Sequence, residues 1–600
     1  MGQATFIAFV HDLAAEPTVE KIAAAHGPCK PRQYDLADGR LTLWTWTQAE
    51  EITGRAGKIL AKVNKSRSTA VAPVPAQVVD QGAVPEGLLE QVDQFCSYIF
   101  LDNRKRAVLW TDHVGFSKIF HAKISGGQMF SDDLSAFRSL GFDVDQGMVA
   151  SYLINGSMVA NRTLYEGVRS LATGRVIVAT PRELQERHYW RFDPSRDAGA
   201  DGVDVAQELW ARSEAAVLRH VGEHEVVLPL SGGYDSTCIL AVLAAAKRDV
   251  STFTYVNGAP QPDSDADVAR RQADLLGVEH QVVGIESASF LEMLKANINA
   301  GLNMRNANYE ISAYTAAVDA VKGRFRNPMF CFGEECYGGP AYRLNSNNDI
   351  LGSIILKSPQ LLTELEPMLG QSSIDRLRGE IQSAYDSLFD SSLEGYGPKD
   401  KSDLLYFSTR LGFNAAPLRV YTAGCFLPFA CPFLDIDVLD CMRFVSGPQR
   451  VEKQLFVNIV QNKFPELFRI PRSRFDQTDP DIGQLVRAEE AEIRRYLADL
   501  TIGVPGVMSP ADLQALFTLV LASKPSSQSA GSPIRAVQAA VRGAAKSVLT
   551  SGIIPAGLRT QLRLRTLNNF AWGPDPMTLF QRALQLAMTF EQMQTGEALH

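Results

Sequence analysis

The run that most constrains this chain is Leu228-Pro229-Leu230-Ser231-Gly232-Gly233-Tyr234-Asp235-Ser236-Thr237, set between an apolar strand and a helix. Residues 226–230 read as a buried strand and 236–247 as the helix that follows. Strands over 252–256 and 280–285 then alternate with a helix over 266–276. Such alternation requires a parallel sheet with helices on its faces, since a parallel neighbour is reached only through a crossover. Ligands of these sheets bind at the carboxyl ends of the strands, where this run lies.

The residue types in the run suit phosphate. Gly232 and Gly233 let the backbone approach phosphate oxygens, and the helix beyond them points its amide groups and positive dipole end the same way. Ser231, Ser236 and Thr237 add hydroxyl donors, while Leu230 and Tyr234 flank the turn. Asp235 is a poor neighbour for bare phosphate, so its sensible role is to hold a magnesium ion that bridges phosphates. The Gly-x-x-x-x-Gly-Lys-Ser/Thr pattern and its lysine are absent, which disfavours kinase or motor chemistry. Ser125-Gly126-Gly127 has no Asp-Ser after it and reads as a hairpin turn.

A chain of 600 residues exceeds what one hydrophobic core usually holds, so two domains are expected. Short β-rich runs such as 41–46, 107–110 and 174–178 point to a sheet-based first domain over 1–195. Gly, Asp, Ser and Ala crowd 194–202 into a linker, and the second domain runs from 203 to 600, with 485–600 a mainly helical extension. A charged fraction of 21% and a net charge of -8 do not mark a nucleic-acid binder. No stretch is apolar for long enough to span a membrane. The eight cysteines form no Cys-x-x-Cys pair, and the opening residues have no basic flank of a signal peptide, so a reducing, cytoplasmic setting is expected. Between Leu513 and Pro574 no acidic residue occurs, while Arg535, Arg542, Lys546, Arg559, Arg563 and Arg565 are basic. That run is either a solvated face or a surface for an acidic peptide.

At the Ser231–Ser236 loop the sequence resembles the N-type ATP-pyrophosphatases and, more narrowly, the asparagine synthetase superfamily. The first domain resembles its Ntn-type glutaminase domain at Trp110-Thr111-Asp112-His113-Val114-Gly115, Ser131-Asp132, Leu164-Tyr165-Glu166-Gly167-Val168 and His188-Tyr189-Trp190. The second resembles it at Thr254-Tyr255-Val256-Asn257, Asp263-Ser264-Asp265, Pro432-Phe433-Leu434-Asp435, Val451-Glu452-Lys453 and Arg469-Ile470-Pro471-Arg472-Ser473-Arg474-Phe475. The resemblance implies an α/β architecture: an Ntn-hydrolase-like sandwich, then a Rossmann-like parallel-sheet domain that uses ATP and magnesium. It implies nucleotide contacts from Leu230 to Thr237, Tyr255, Val256 and Gly333.

Three departures stand out. Glutamine-dependent members carry a terminal cysteine nucleophile whose own amine is its base; here residue 2 is Gly, and Cys29 and Cys96 are interior, so glutamine hydrolysis is expected to be absent. In Cys331-Phe332-Gly333-Glu334-Glu335-Cys336-Tyr337-Gly338-Gly339, Glu334 stands where the family has an Asp that binds magnesium. Asp235 and Glu334 then form the metal pair. Cys331 stands where relatives place a Glu or Tyr near the reacting amine, and reads as a packed thiol rather than a nucleophile. Arg472 stands at a Lys that stabilises charge in relatives; it is either that cation or a helix-end arginine, with Lys453 as the backup.

The implied chemistry is adenylation of a carboxylate followed by attack of an amine, with Asp235, Glu334, Arg472 and Lys453 as its charged groups. Among members without the glutaminase cysteine, the length, the helical extension and the departures near the amine favour a lasso-peptide cyclase, which closes a macrolactam on a precursor peptide. A leader-peptide-binding protein and a cysteine protease are its candidate companions. A small-molecule amide ligase, β-lactam synthetase-like or ammonia-dependent, is the alternative, and a non-catalytic ATP-binding partner protein the third reading.

Overall fold

The computed structural model describes residues 6–26, 29–46, 52–54, 57–64, 95–194, 204–285, 289–299, 310–334, 336–338, 344–354, 356–415, 426–473, 482–522 and 576–595. Most of the expected linker, the Ser- and Pro-rich break at 525–533, the basic residues from Arg535 to Arg565 and Cys425 lie outside them.

Strands β1 (Phe6–His11), β2 (Arg32–Leu36), β3 (Gly39–Thr45), β4 (Ile52–Gly54), β5 (Gly57–Asn64), β6 (Cys96–Asp102), β7 (Ala107–Trp110), β8 (Phe120–Ile124), β9 (Gly127–Ser131), β10 (Arg169–Ser170), β11 (Arg175–Ala179) and β12 (Leu184–His188) build the first domain. They form two antiparallel sheets, β10-β8-β9-β1-β3-β2 and β12-β11-β7-β6-β5-β4. The two-residue period of a strand sorts their side chains. Phe6, Ala8 and Val10 of β1 meet Ile99, Leu109 and Ile177 in the core between the sheets. Ile7 and Phe9 point to the opposite face. The turn at 125–126 joins β8 to β9 with Gly126 at φ 82°, the expected hairpin.

Each outer face of the sandwich is covered. Beneath the first sheet lie α1 (Glu16–His26) and α2 (Gln146–Asn155). Asp145 caps α2 by accepting the Met148 amide, and Gly156 ends it at φ 71°. On the second sheet's outer face, Tyr98, Phe100, Trp110 and Val176 share a core with the second domain. That domain opens with α3 (Val205–Val221), capped by Asp204.

Its sheet is wholly parallel: β13 (Glu225–Pro229), β14 (Val250–Val256), β15 (Glu279–Gly284), β16 (Pro328–Cys331) and β17 (Phe429–Ala430), in the order β15-β14-β13-β16-β17. Val226, Val227 and Leu228 are buried in succession, as a central parallel strand requires. Helix α4 (Tyr234–Ala245) follows β13, and its residues from Ser236 to Leu243 are all buried. Helix α5 (Asp265–Leu275), capped by Ser264, follows β14. Connections leave β13 toward β14 on one side while β16 lies on the other, a switch point where a crevice opens.

Helices α6 (Phe290–Asn299), α7 (Gln371–Asp386), α8 (Pro510–Ala522) and α9 (Pro576–Thr595) pack with α2 of the first domain in one core. Arg582 of α9, itself buried, donates from Nη1 to the Leu153 carbonyl of α2 at 2.9 Å. These described parts of the helical extension therefore build the underside of the sandwich. No helix among the described residues is long and apolar enough to cross a membrane.

Candidate active site

The chain leaves β13 with the Leu230 amide donating to the Phe253 carbonyl at 2.8 Å, then turns through Ser231, Gly232 and Gly233 into α4. Gly232 has φ +67°, and a Cβ there would lie 2.7 Å from Cγ1 of Val268 on α5. Only glycine meets both demands. Gly233 caps α4 without a side-chain hydrogen bond, so the positive end of the helix dipole faces the loop with no cap side chain across it. Across the loop the Ser231 and Ser236 hydroxyls stand 3.3 Å apart, and the Gly233 amide donates to Ser231 Oγ at 3.4 Å. Thr237 behaves otherwise: fully buried, it donates to Gln272 Oε1 at 2.9 Å and ties α4 to α5 instead of lining the loop.

The segment after β16 rests on this first helical turn. A Cβ at Gly333 would lie 2.8 Å from Asp235 Cβ and 2.9 Å from the Ser236 amide nitrogen, a spacing that only glycine allows. Its neighbour Glu334, 7% exposed, is thereby delivered to the edge that Asp235 occupies. Tyr255, half-buried, and Val256, buried, end β14 at the same edge. Cys331 is the last residue of β16, paired in register with Ala430 of β17 and fully buried. Burial pushes its thiol far above the ordinary cysteine range, which leaves a packed thiol and not a thiolate.

Lys453 completes the charge pattern. Its Nζ lies 2.6 Å from Asp235 Oδ2, both side chains being mostly buried. It heads the helix Gln454–Lys463, and both it and Glu452 are left-handed, at φ 57° and 52°. Non-glycine residues held there cost on the order of 1–3 kcal/mol each, a strain that tends to mark functional sites. Arg472 reaches the loop differently. Its guanidinium lies 4.4 Å from the centroid of the Tyr234 ring, which also stacks on Phe468 at 5.3 Å, while the Tyr234 hydroxyl accepts a hydrogen bond from Gln461 Nε2 at 3.2 Å. The cation on Asp235 is thus the backup lysine, and the aligned Arg472 is an exposed partner of Tyr234. Phe468 and Gln461 belong to no recognisable motif and were not foreseen from sequence.

The Pro432–Asp435 segment proves structural. Buried Asp435 caps the helix Ile436–Met442 and binds Arg219 and, at 2.7 Å, His220 Nε2. Burial alone would raise its carboxyl, but His220 and Arg219 outweigh that and hold it well below the usual range. In the first domain Asp112 accepts backbone amides of Val114, Phe116 and Ser117, and His113 Nε2 lies 2.8 Å from the Leu434 carbonyl, joining the two domains.

Among the described residues no group of three or more His, Cys, Asp or Glu side chains is placed to hold a metal. Asp235 and Glu334 are oxygen donors of the type magnesium takes, with its remaining ligands from phosphate and water, and the chain places Glu334 one residue beyond the Gly333 that rests on Asp235.

Residues 211–320 match a family model described as asparagine synthase, and residues 82–190 one described as a glutamine amidotransferase domain. No curated protein matches the chain. Among solved structures, the NH3-dependent NAD synthetase from Campylobacter jejuni is 15% identical, covering 31% of this chain and 96% of its own, with a TM-score of 0.17. The NMN synthetase from Francisella tularensis is 10% identical, covering 42% and 94%, with a TM-score of 0.16. The allosteric regulatory enzyme of purine biosynthesis is 10% identical, covering 47% and 75%, with a TM-score of 0.19. Likenesses this slight carry no argument. The two family matches, lying in order on the sandwich and the parallel-sheet domain, show an asparagine synthetase-like ATP-pyrophosphatase fold with an amidotransferase domain, which makes the chain an ATP-dependent amide-forming ligase.

Proposed function

We propose that the chain adenylates the carboxylate of a small molecule and passes the acyl group to an amine, releasing AMP and pyrophosphate. The observation that carries this reading is the meeting of the Ser231–Ser236 loop, Asp235, the Gly333 segment and Lys453 at one edge of the parallel sheet. A carboxylate oxygen attacks the α-phosphorus of ATP, the bond between the α-phosphorus and the bridging oxygen breaks, and pyrophosphate leaves. First-turn amides of α4 and the hydroxyls of Ser231 and Ser236 hold the leaving group. Asp235 and Glu334 would hold magnesium, which neutralises charge on the phosphates when bound. Lys453 adds a cation where that charge develops. An amine nitrogen then attacks the acyl carbon, the bond to AMP breaks, and the nitrogen gives up a proton; Arg472, anchored on Tyr234 of the loop, is an exposed cation available to that step.

The amine comes from a second substrate on this reading. The described cysteines of the amidotransferase domain are interior: Cys29 donates its thiol to the Thr45 carbonyl, and Cys96 is buried in β6. Thiols packed in this way are not placed as the nucleophile of glutamine hydrolysis.

Macrolactam formation on a precursor peptide is the second reading, favoured by Cys331. A buried thiol at the position of a polar base suits an amine that arrives already deprotonated, as a peptide's N-terminal amine can near its pKa. The helical extension gives this reading less support, because its described helices pack under the sandwich. One experiment separates the two: pyrophosphate release measured with Mg-ATP and panels of amino and carboxylic acids, ammonium, glutamine, and linear peptides with an internal Asp or Glu. Release with small acids supports the first reading. A peptide product lighter by one water, together with AMP, supports the second. Silence with every substrate would sink both and favour the non-catalytic reading.

A further inference from the structure

Lys453 follows a buried arginine in the chain. Arg450, three residues earlier, is 1% exposed. Its guanidinium ion-pairs with Asp400 and Asp403, and its Nε donates to the Val445 carbonyl at 3.0 Å. Asp403 also binds Lys399 on its own helix. From the other side Gly338, at φ +108°, presses on the Arg450 backbone so closely that a Cβ would overlap the Arg450 carbonyl oxygen. A buried arginine with two carboxylates and a carbonyl is fixed in direction, because each lost contact would leave a charge without solvent. The chain that leaves this clamp makes the two left-handed steps at Glu452 and Lys453 and enters the helix Gln454–Lys463. Left-handed residues persist only where their surroundings over-determine them. Here the clamp fixes one end of the kink, and the Lys453–Asp235 pair fixes the other.

We propose that Arg450 is a positioning residue for the nucleotide loop: held by Asp400 and Asp403, it sets the kink that delivers Lys453 to Asp235. The proposal rests on the adenylation reading, since it assigns Arg450 no contact with substrate and acts only through Lys453. Gly338 belongs to the same device, as the surface against which the Arg450 carbonyl is seated.

The test is a double-mutant cycle on the full chain with two readouts: magnesium pyrophosphate affinity by calorimetry, and ATP–pyrophosphate exchange. Arg450→Lys keeps the charge but loses the fork that spans two carboxylates, and Asp400→Asn removes one arm only, so two independent changes to the clamp are read. Each is made alone and with Lys453→Ala. Either single change is expected to weaken pyrophosphate binding about tenfold where Lys453 is present and to have no further effect where it is Ala, the non-additivity of residues acting as a unit. Equal losses in both backgrounds, or no loss beside Lys453, would overturn the proposal. Wild-type protein that binds magnesium pyrophosphate but turns over no substrate would refute the functional reading alone, with the cycle still deciding this one. Wild-type protein that does not bind it at all would overturn both.

Discussion

The ammonium of Lys453 lies 2.6 Å from the Asp235 carboxylate, across 218 residues of sequence. The pair joins the first turn of α4 to the head of the helix Gln454–Lys463. Asp235 thus has a cation before any phosphate arrives, which keeps its negative charge from repelling the nucleotide. Lys453→Ala is expected to lower pyrophosphate formation about 100-fold, in the range seen when one preorganised group is removed. Asp235→Ala should abolish it. Arg472→Ala, which removes an exposed cation from an aromatic ring, should cost pyrophosphate formation far less than Lys453→Ala. Steady-state pyrophosphate assays on the three variants check the ranking; an Arg472 variant weaker than the Lys453 variant would reverse the assignment of the two cations.

Gly333→Ala is expected to damage the site more than the fold. The new methyl meets the Asp235 Cβ and the Ser236 amide below 3 Å, and since one contact is backbone, the first turn of α4 must shift. Overpacking of this kind costs about 1–3 kcal/mol. A displacement of even 1 Å in a reacting geometry reaches about 100-fold in rate. Thermal denaturation beside ATP–pyrophosphate exchange tests this. A normal exchange rate would mean that the segment 333–334 does not set the Asp235 geometry.

The loop was legible in the sequence because each of its constraints is local: glycine where φ is positive or a backbone approaches, an apolar strand before, a helix after. The five segments from 226 to 285 are found within two residues of their expected bounds for the same reason. Sequence alignment puts Arg472 ahead of Lys453, but which cation reaches Asp235 depends on the two left-handed steps at Glu452 and Lys453, and nothing in those residue types announces them. Thr237 looked like one more hydroxyl in the loop. Helical periodicity turns it inward to Gln272, a partner 35 residues away. The seating of the helical extension under the sandwich was equally hidden, because an amphipathic helix declares that it has an apolar face and not which surface will cover it.

That seating is tested by Phe580→Ala. Phe580 is fully buried, 5.0 Å from the Phe517 ring of α8 and 6.3 Å from the Phe290 ring of α6. Removing a buried phenyl typically costs about 3–5 kcal/mol. Denaturant midpoints should fall accordingly, while the KM for ATP stays unchanged in protein that remains folded. A raised KM with unaltered stability would instead place α9 at the substrate.

Acid sensitivity follows from two histidines. Burial pushes His121 and His280 down to about 4, from an ordinary value of 6.5; for His280, Nδ1 lies 2.9 Å from the Thr252 hydroxyl and Nε2 is buried without a partner among the described residues. Because the folded pKa lies below the unfolded one, the unfolded chain binds more protons between those values. The stability contribution is therefore complete above pH 6.5 and is lost as pH falls toward 4. Denaturation midpoints should drop across that window, and His280→Gln should flatten the drop; an identical slope in the variant would remove His280 from the account.

Cys331→Ala tests whether the reaction needs this thiol. Its side chain is fully buried at the end of β16, its thiol is held far above the ordinary range by burial alone, and its neighbour in register is the apolar Ala430. A thiol buried this way is disfavoured as thiolate and reads as packing, so deleting the sulfur should act only through the small cavity it leaves. The cost is on the order of 1 kcal/mol in stability. Amide formation, followed by AMP and pyrophosphate, should persist within about threefold, since no lost transition-state contact enters the rate. The two half-reactions refine the reading. If pyrophosphate exchange persists while amide formation stops, the thiol serves the amine after all and the packed-thiol assignment fails; if both fall together in folded protein, the sulfur shapes the acyl site, because Cys331 stands only two residues before the Gly333 that rests on Asp235.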